Sequence, residues 1–599
     1  MRFKSDEIGG YRVYAVTGTN TVSFAVDFRQ ADTSGLLGFA IERTDPTEDQ
    51  RYFLYGFKVF EEVVPHPDET TSVTTFNHPV QSFVHDDFTA KPGRTYEYRF
   101  FPLKGKPKNI DRSAPPIPIT IKTEPLFSNE EHDVFFNRGV ASSQAYRREF
   151  ENKRPDDLEE PKRQRALDWL SRDLDEAMLR FIAQAKQGDT LLCCFYEFRY
   201  APVVEALKQA LDDGVDVRII IDAKNNETRD KTTGEIVKKS FPRTENLELI
   251  DKTGFPAAAI IRREAQPGDI QHNKFMVWQN KDGTEHAVWT GSTNLSVGGI
   301  HGQTNVGHWL RNSDAAAAFT AYWHVLSADP GSMGKDDPQG RQKTKELRRQ
   351  VMAIGQAPTA IADIAKGVTP VFSPRSGLDM LDLYAELLDS AEHLSCITLA
   401  FGISAVFKQR LSDNHAGSHL AFFLLEKEDK PNPRSSTPFV ALNARNNVYK
   451  AWGSYLREPL HQWARETSAG RLGLNQHVSF IHSKFLLRDP LGADPIVVTG
   501  SANFSEPSTT SNDENMLIIR GDLRAADIYF TEFNRLFFHY YFRSVQEATS
   551  RRSAGAAAAP PAGFSAFLEP DDSWIAKYAP GSLRRKRVET FTHMAGFDT

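Results

Sequence analysis

The chain has 599 residues, 40% hydrophobic and 25% charged, the balance of an ordinary globular protein with apolar surface enough for several cores. Its formal net charge of -6, from 72 basic and 78 acidic residues, gives no whole-chain sign of a polyanion binder and leaves only a local basic groove for that role. No apolar run reaches the ~18 residues of a membrane span and the N-terminus lacks the apolar core of a signal peptide, so the expectation is a soluble, cytoplasmic protein.

Residues 1–124 read as all-β. Phe24, Val26 and Phe28 alternate, as do Phe39 and Ile41, then Tyr96, Tyr98 and Phe100, then Ile117, Ile119 and Ile121, with turn residues such as Pro92-Gly93 between the runs. Length and spacing suit a small β-sandwich, and Pro92-Gly93-Arg94-Thr95-Tyr96-Glu97-Tyr98 resembles the tyrosine-corner strand of fibronectin type III domains. Such a unit packs on the rest of the chain or binds a partner.

Residues 127–365 carry an α/β pattern. Leu167, Leu170, Leu174, Met178 and Phe181 recur at helical spacing, 191–198 is a continuous apolar strand, 203–211 is helical and 217–221 is strand again, a βαβ unit of a largely parallel sheet. The pattern restarts over residues 366–545, with a helix at 378–391, a strand at 394–399, a helix at 406–411, a strand at 419–425 and an aromatic-rich helix at 525–542. Residues 546–599 begin with a low-complexity linker, Ser553 to Pro561, and end in a tail with Trp574, Tyr578 and Arg584-Arg585-Lys586-Arg587. That basic cluster is a solvated face or, alternatively, a contact for anionic lipid or nucleic acid. Cys193, Cys194 and Cys396 all lie in apolar runs and read as buried thiols.

Two stretches stand out. Gln271-His272-Asn273-Lys274-Phe275 is followed by Gly291-Ser292-Thr293-Asn294, and Ile481-His482-Ser483-Lys484-Phe485 by Gly500-Ser501-Ala502-Asn503. Histidine and lysine two apart share one face of a strand, and a cation, an imidazole and turn donors together suit a phosphate. Asn294 to Asn305 and Asn503 to Glu514 both span eleven residues, so Asn305 and Glu514 occupy equivalent places. Two copies in duplicated halves point to one site built from both.

These motifs resemble the HKD motifs of the phospholipase D superfamily over about residues 127–545. The resemblance implies two duplicated α/β/α halves with largely parallel or mixed sheets around one active site, and metal-free phosphodiester cleavage without a cofactor. One histidine attacks phosphorus and the other protonates the leaving oxygen. Lys274 and Lys484 balance the phosphate charge; Asn294 and Asn503, and Ser292 and Ser501 unless these only stabilise their turns, bind its oxygens. Asp489 stands at the family's aspartate, where the first half has Gln279, and is expected to be an orienting residue like Asn305. In the family an acidic residue after the turn can orient the histidine of the opposite half; carried over, Glu514 holds His272 and Asn305 holds His482, which favours His272 as nucleophile.

The favoured substrate is a phospholipid headgroup ester, with peripheral membrane contact. A DNA or RNA endonuclease is the second reading, with Arg262, Arg263, Trp278, Trp289 and Trp309 as groove candidates, and a non-catalytic phosphate-binding module is the third. No His/Asp/Glu/Cys set near the motifs has zinc spacing, so no metal is expected there.

Overall fold

A computed structural model describes residues 1–264, 268–284, 286–329, 338–412, 419–431, 439–474, 478–554 and 565–597. Alternation governs the N-terminal region, where strands form two larger antiparallel sheets and a two-stranded ribbon of Tyr55–Gly56 and Val73–Thr74. Along Ile117–Lys122 the three isoleucines are buried while Pro118, Thr120 and Lys122 are exposed. The Tyr96 hydroxyl accepts the Lys91 N–H, and the Tyr98 hydroxyl donates to Asp87, which also pairs with Arg43 at 2.8 Å.

Behind this region lie two seven-stranded sheets with one shared topology. The first runs, in spatial order, His132–Phe136, Val306–Leu310, His286–Gly291, Lys274–Gln279, Thr190–Phe195, Asp216–Asp222 and Ile260–Arg263. The second runs Gly367–Ser373, Glu514–Arg520, Ile496–Gly500, Phe485–Arg488, Leu394–Leu399, Leu420–Leu425 and Val448–Trp452. The predicted βαβ unit is present, and its strand pairing is parallel. A largely parallel sheet is not what surrounds it. In each sheet only the last two pairings are parallel, because the motif strand and its successor are joined by a hairpin-length connection that forces antiparallel pairing. The run of helical spacing from Leu167 to Phe181 is split between two helices, Lys162–Ser171 and Leu174–Ala183, broken at Arg172, whose φ is 53°.

The aromatic-rich helix runs Leu523–Ala554, longer than its aromatic stripe predicts. Tyr529 lies between Phe136 of the first half and Phe485 of the second, with ring centroids 5.4 and 5.2 Å away, so the helix seals the seam between the sheets. Glu532 within it is fully buried between Arg172 and Arg535. The chain then returns to the N-terminal sheets: the Trp574 indole donates to Leu36 O, and the helix Leu583–Thr592 packs nearby. Each cation of the basic cluster has a partner: Arg584 the Tyr578 ring and Arg585 Glu589 within the segment, Lys586 Asn447 of the second half and Arg587 Asp86 of the N-terminal sheets. Residues 555–561 of the expected linker lie outside the described residues. All three cysteines are free and buried, and among the described residues no helix is long and apolar enough to cross a membrane.

Candidate active site

Both motif histidines sit just before a strand, at the seam between the two sheets. The His272 N–H donates to Asp513 O at 2.9 Å and the His482 N–H to Thr304 O at 3.2 Å, so each histidine is hung from the backbone of the opposite half. Carboxylates at the ends of apolar strands fix the residues that precede them. Asp222 accepts the Gln271 N–H at 2.9 Å, and Glu426 accepts the N–H groups of Ser479, Phe480 and Ile481 at 2.9, 3.0 and 2.7 Å. Burial pushes both carboxyls up to about 7.

The side chains cross as well. His272 Nδ1 lies 3.0 and 2.9 Å from the two Glu514 oxygens, and His482 Nδ1 lies 2.9 Å from Asn305 Oδ1. The Asn305 amide nitrogen donates to Gly299 O, which leaves its oxygen for His482 and sets the tautomer: Nδ1 carries the proton and Nε2 a free lone pair. Glu514 sets the same tautomer for His272. The Lys274 ammonium donates to the His272 carbonyl at 2.5 Å and the Lys484 ammonium to the His482 carbonyl at 2.6 Å, placing two cations beside two imidazoles.

Burial dominates the electrostatics of this cluster. It holds both histidines well below the ordinary imidazole value, and the two lysines lower them further. Lys274 comes down to about 8 and Lys484 falls well below its usual value, each disfavoured by burial. Glu514 rises to about 7 by burial, against the pull of Lys274. Two lysines and two imidazoles are thus buried together with the Glu514 carboxyl group, and Glu197 and Asp222 also act on Lys274.

Residues 178–326 and 435–537 match the family model described as the phospholipase D-like domain of cardiolipin synthase. Both halves are phospholipase D-like. No curated protein sequence matches the chain. Among solved structures, phosphatidylserine synthase from Haemophilus influenzae Rd KW20 is 11% identical with a TM-score of 0.42, over 71% of this chain and 94% of that one. Nuc from Salmonella typhimurium, a phospholipase D family member, is 14% identical with a TM-score of 0.19, over 29% and 94%. Yeast tyrosyl-DNA phosphodiesterase is 11% identical with a TM-score of 0.28, over 55% and 83%.

Asn294 and Asn503 each have a buried side-chain oxygen without a hydrogen-bond partner among the described residues, while the Asn294 amide nitrogen donates to Glu197 at 2.7 Å. The two serines do not point at a phosphate. Ser292 donates to Asn305 Oδ1 at 2.8 Å and Ser501 to Glu514 Oε2 at 2.6 Å, and both also accept a strand N–H, so they brace the groups that orient the histidines. Asp489, expected to orient as well, is corrected too. It lies at the far end of its strand from Lys484 and accepts the backbone N–H groups of Glu392, His393 and Leu394, out of reach of either histidine. Gln279 is therefore no loss to the first motif. Asp189, just before the neighbouring strand, caps that end instead, accepting the Lys281 N–H and the Trp278 indole N–H.

Three acidic residues were missed: Asp222, Glu426 and Glu197. Their signal is an acid that directly ends, or lies just beyond, an apolar strand run, the place where open α/β sheets hold ligands. Glu197 also marks the asymmetry of the two phospholipase D-like halves. Strand registers place Tyr196-Glu197 opposite Ala400-Phe401, so one wall of the site is a buried acid paired with Arg199 and the other a phenylalanine that is 67% exposed. A cavity of about 350 Å³ opens on that second wall, lined by Phe401, Glu426, Lys427 and Lys430 among others. The tryptophans considered for a groove are structural: Trp289 and Trp309 are core residues against Phe181, and Arg263 is buried against Asp513 and Asp329.

Proposed function

We propose that the protein breaks phosphodiester bonds through a phosphohistidine on His272. The crossed pairing of His272 with Glu514 and of His482 with Asn305 carries this reading. The Nε2 lone pair of His272 attacks phosphorus, and the carboxylate partner stabilises the imidazolium charge that develops. His482, held by a neutral amide, takes up a proton as the anionic substrate offsets the two lysines, and passes it from Nε2 to the leaving oxygen as the P–O bond breaks. In the second step His482 removes a proton from water or another alcohol, whose oxygen displaces His272 from phosphorus. Lys274 and Lys484 neutralise the non-bridging oxygens.

The favoured substrate is a phospholipid headgroup ester. Its support is Phe401, an exposed aromatic ring on the rim of the second half, where a lipid reader needs apolar surface, together with the loss of Trp289 and Trp309 as stacking groups for bases. With chelator present, the protein should release headgroups from phosphatidylcholine or phosphatidylglycerol vesicles and leave single- and double-stranded DNA and RNA intact. Strand cleavage without lipid turnover would establish the nuclease instead; binding of phosphate with no turnover on any substrate would leave only a phosphate-binding module.

A pH dependence follows from Lys274, lowered to about 8 in the free protein. A bound dianion raises that value, so above about 8 binding must take up a proton and affinity falls as pH rises, by up to about tenfold per unit for each proton. Tungstate titrated calorimetrically between pH 7 and 9, in buffers of different ionisation heat, should show both the weakening and the proton uptake. A constant affinity would mean that Lys274 does not face the anion.

A further inference from the structure

A second cluster lies where the two halves meet, away from the motifs. His132 opens the edge strand of the first sheet, at the end opposite Asn305, and is 2% exposed. Its Nδ1 lies 2.9 Å from His308 Nε2; His308 Nδ1 lies 3.1 Å from the Tyr529 hydroxyl, which donates to Thr499 Oγ1. Followed back along that chain, the Tyr529 oxygen accepts from His308 Nδ1–H and His308 Nε2 accepts from His132 Nδ1–H. His132 Nε2 is then a bare lone pair. It has no hydrogen-bond partner among the described residues.

What it faces is two more acceptors, Glu131 Oε2 at 3.6 Å and Asp522 Oδ2 at 3.7 Å. Reversing the proton chain does not help, since Nε2–H would then have no acceptor within hydrogen-bond distance. Each carboxylate is also aimed by its other oxygen: Glu131 Oε1 accepts the Asn312 amide at 2.5 Å, and Asp522 Oδ1 accepts the Ala525 N–H at 2.6 Å at the start of the long helix. Three acceptor atoms within 4.8 Å of one another, each oriented by a hydrogen bond on its far side, form a ligand set with its outer shell in place.

We propose that Glu131, His132 and Asp522 bind a divalent transition metal of the zinc class. One imidazole nitrogen and two carboxylate oxygens suit such an ion, and a closing movement below an ångström brings them to bonds of about 2.0–2.2 Å, with water completing the coordination. The side chains of Glu131 and Asp522 are 39% and 31% exposed, which provides the entry path. Because Glu131 and His132 belong to the first half and Asp522 precedes the helix that seals the seam, the ion clamps the two halves together and takes no part in phosphodiester chemistry.

The full-length protein, freed of metal, should bind one equivalent of Co²⁺ with a visible ligand-field spectrum, displaced by ZnCl₂, and zinc should raise its unfolding temperature by ~2 °C or more. Glu131→Gln with Asp522→Asn keeps both outward hydrogen bonds and should leave the metal-free unfolding temperature unchanged while weakening metal binding at least tenfold. His132→Asn should do the same if it folds. Absence of binding to the parent protein overturns the proposal, as does binding unchanged in the double variant, which would place the ion on the motif histidines. An equal response to MgCl₂ overturns the zinc-class assignment.

Discussion

Replacing His272 by alanine should lower turnover by about ten-thousand-fold or more and leave no phosphoryl group on the protein, because the bond-forming nitrogen is gone. His482→Ala should be equally slow on a substrate with an alkoxide leaving group, but for a different reason, and the difference is measurable. A 4-nitrophenyl phosphodiester has a leaving group that needs no proton, so the first step survives in His482→Ala. The second step, which needs His482 as base, does not. A burst of one equivalent of nitrophenol per site, with phosphate retained on His272 and located by peptide mass spectrometry, is the expected outcome. The geometry that leads to it is the unequal support of the rings, a carboxylate on one Nδ1 and an amide on the other. Phosphate found on His482 would reverse the two roles, and full activity in both variants would remove the site assignment altogether.

The parts of this arrangement that were legible beforehand are those encoded by short-range pattern. Duplication, the motif strands and the eleven-residue spacing to Asn305 and Glu514 can all be read without coordinates, because strand alternation and a tight turn translate directly into shared faces. The crossed pairing of rings and partners was expected only through resemblance, since no local pattern tells which half a side chain will meet. The roles of Ser292 and Ser501 stay open in the sequence because a hydroxyl in a turn has no signature separating a phosphate contact from a brace on Glu514 or Asn305. Asp489 was misassigned because five residues along a strand is about 16 Å, too far for an orienting contact, a limit that needs the strand to be continuous before it can be applied. Glu197, Asp222 and Glu426 were hidden by the opposite problem. Each sits beside a run so apolar that it reads only as core, and the value of Asp222 and Glu426 as backbone anchors, and of Glu197 as acceptor of the Asn294 amide, appears once the sheet order brings the motif segments alongside.

The N-terminal sheets are joined to the phospholipase D-like halves by Arg524–Glu124, by Asn534–Ser23 and, with the most contacts of the three, by a side chain that no periodicity announces. Arg2 is 2% exposed, pairs with the buried Asp527 of the long helix at 2.9 Å, and donates to the carbonyls of Pro490, Leu491, Gly492 and Ala595. It thereby ties the first strand to the second half, the long helix and the C-terminal segment at once. Five contacts radiate from one planar guanidinium, so lysine, with its single point of donation, cannot replace it. Arg2→Ala should therefore cost about 3–5 kcal/mol, most of it from leaving four carbonyls without their donor and the buried Asp527 carboxylate with only the Met1 ammonium, 3.1 Å away. Urea unfolding followed by tryptophan fluorescence measures it, and Trp574, buried against the N-terminal sheets, reports on the joint. If the loss comes from the uncompensated charge, Arg2→Met with Asp527→Leu should recover part of it, since the second substitution removes the group that the first exposes. A loss below about 1 kcal/mol in Arg2→Ala would show that the joint is held by apolar packing along the long helix and that the buried pair only fills space within it.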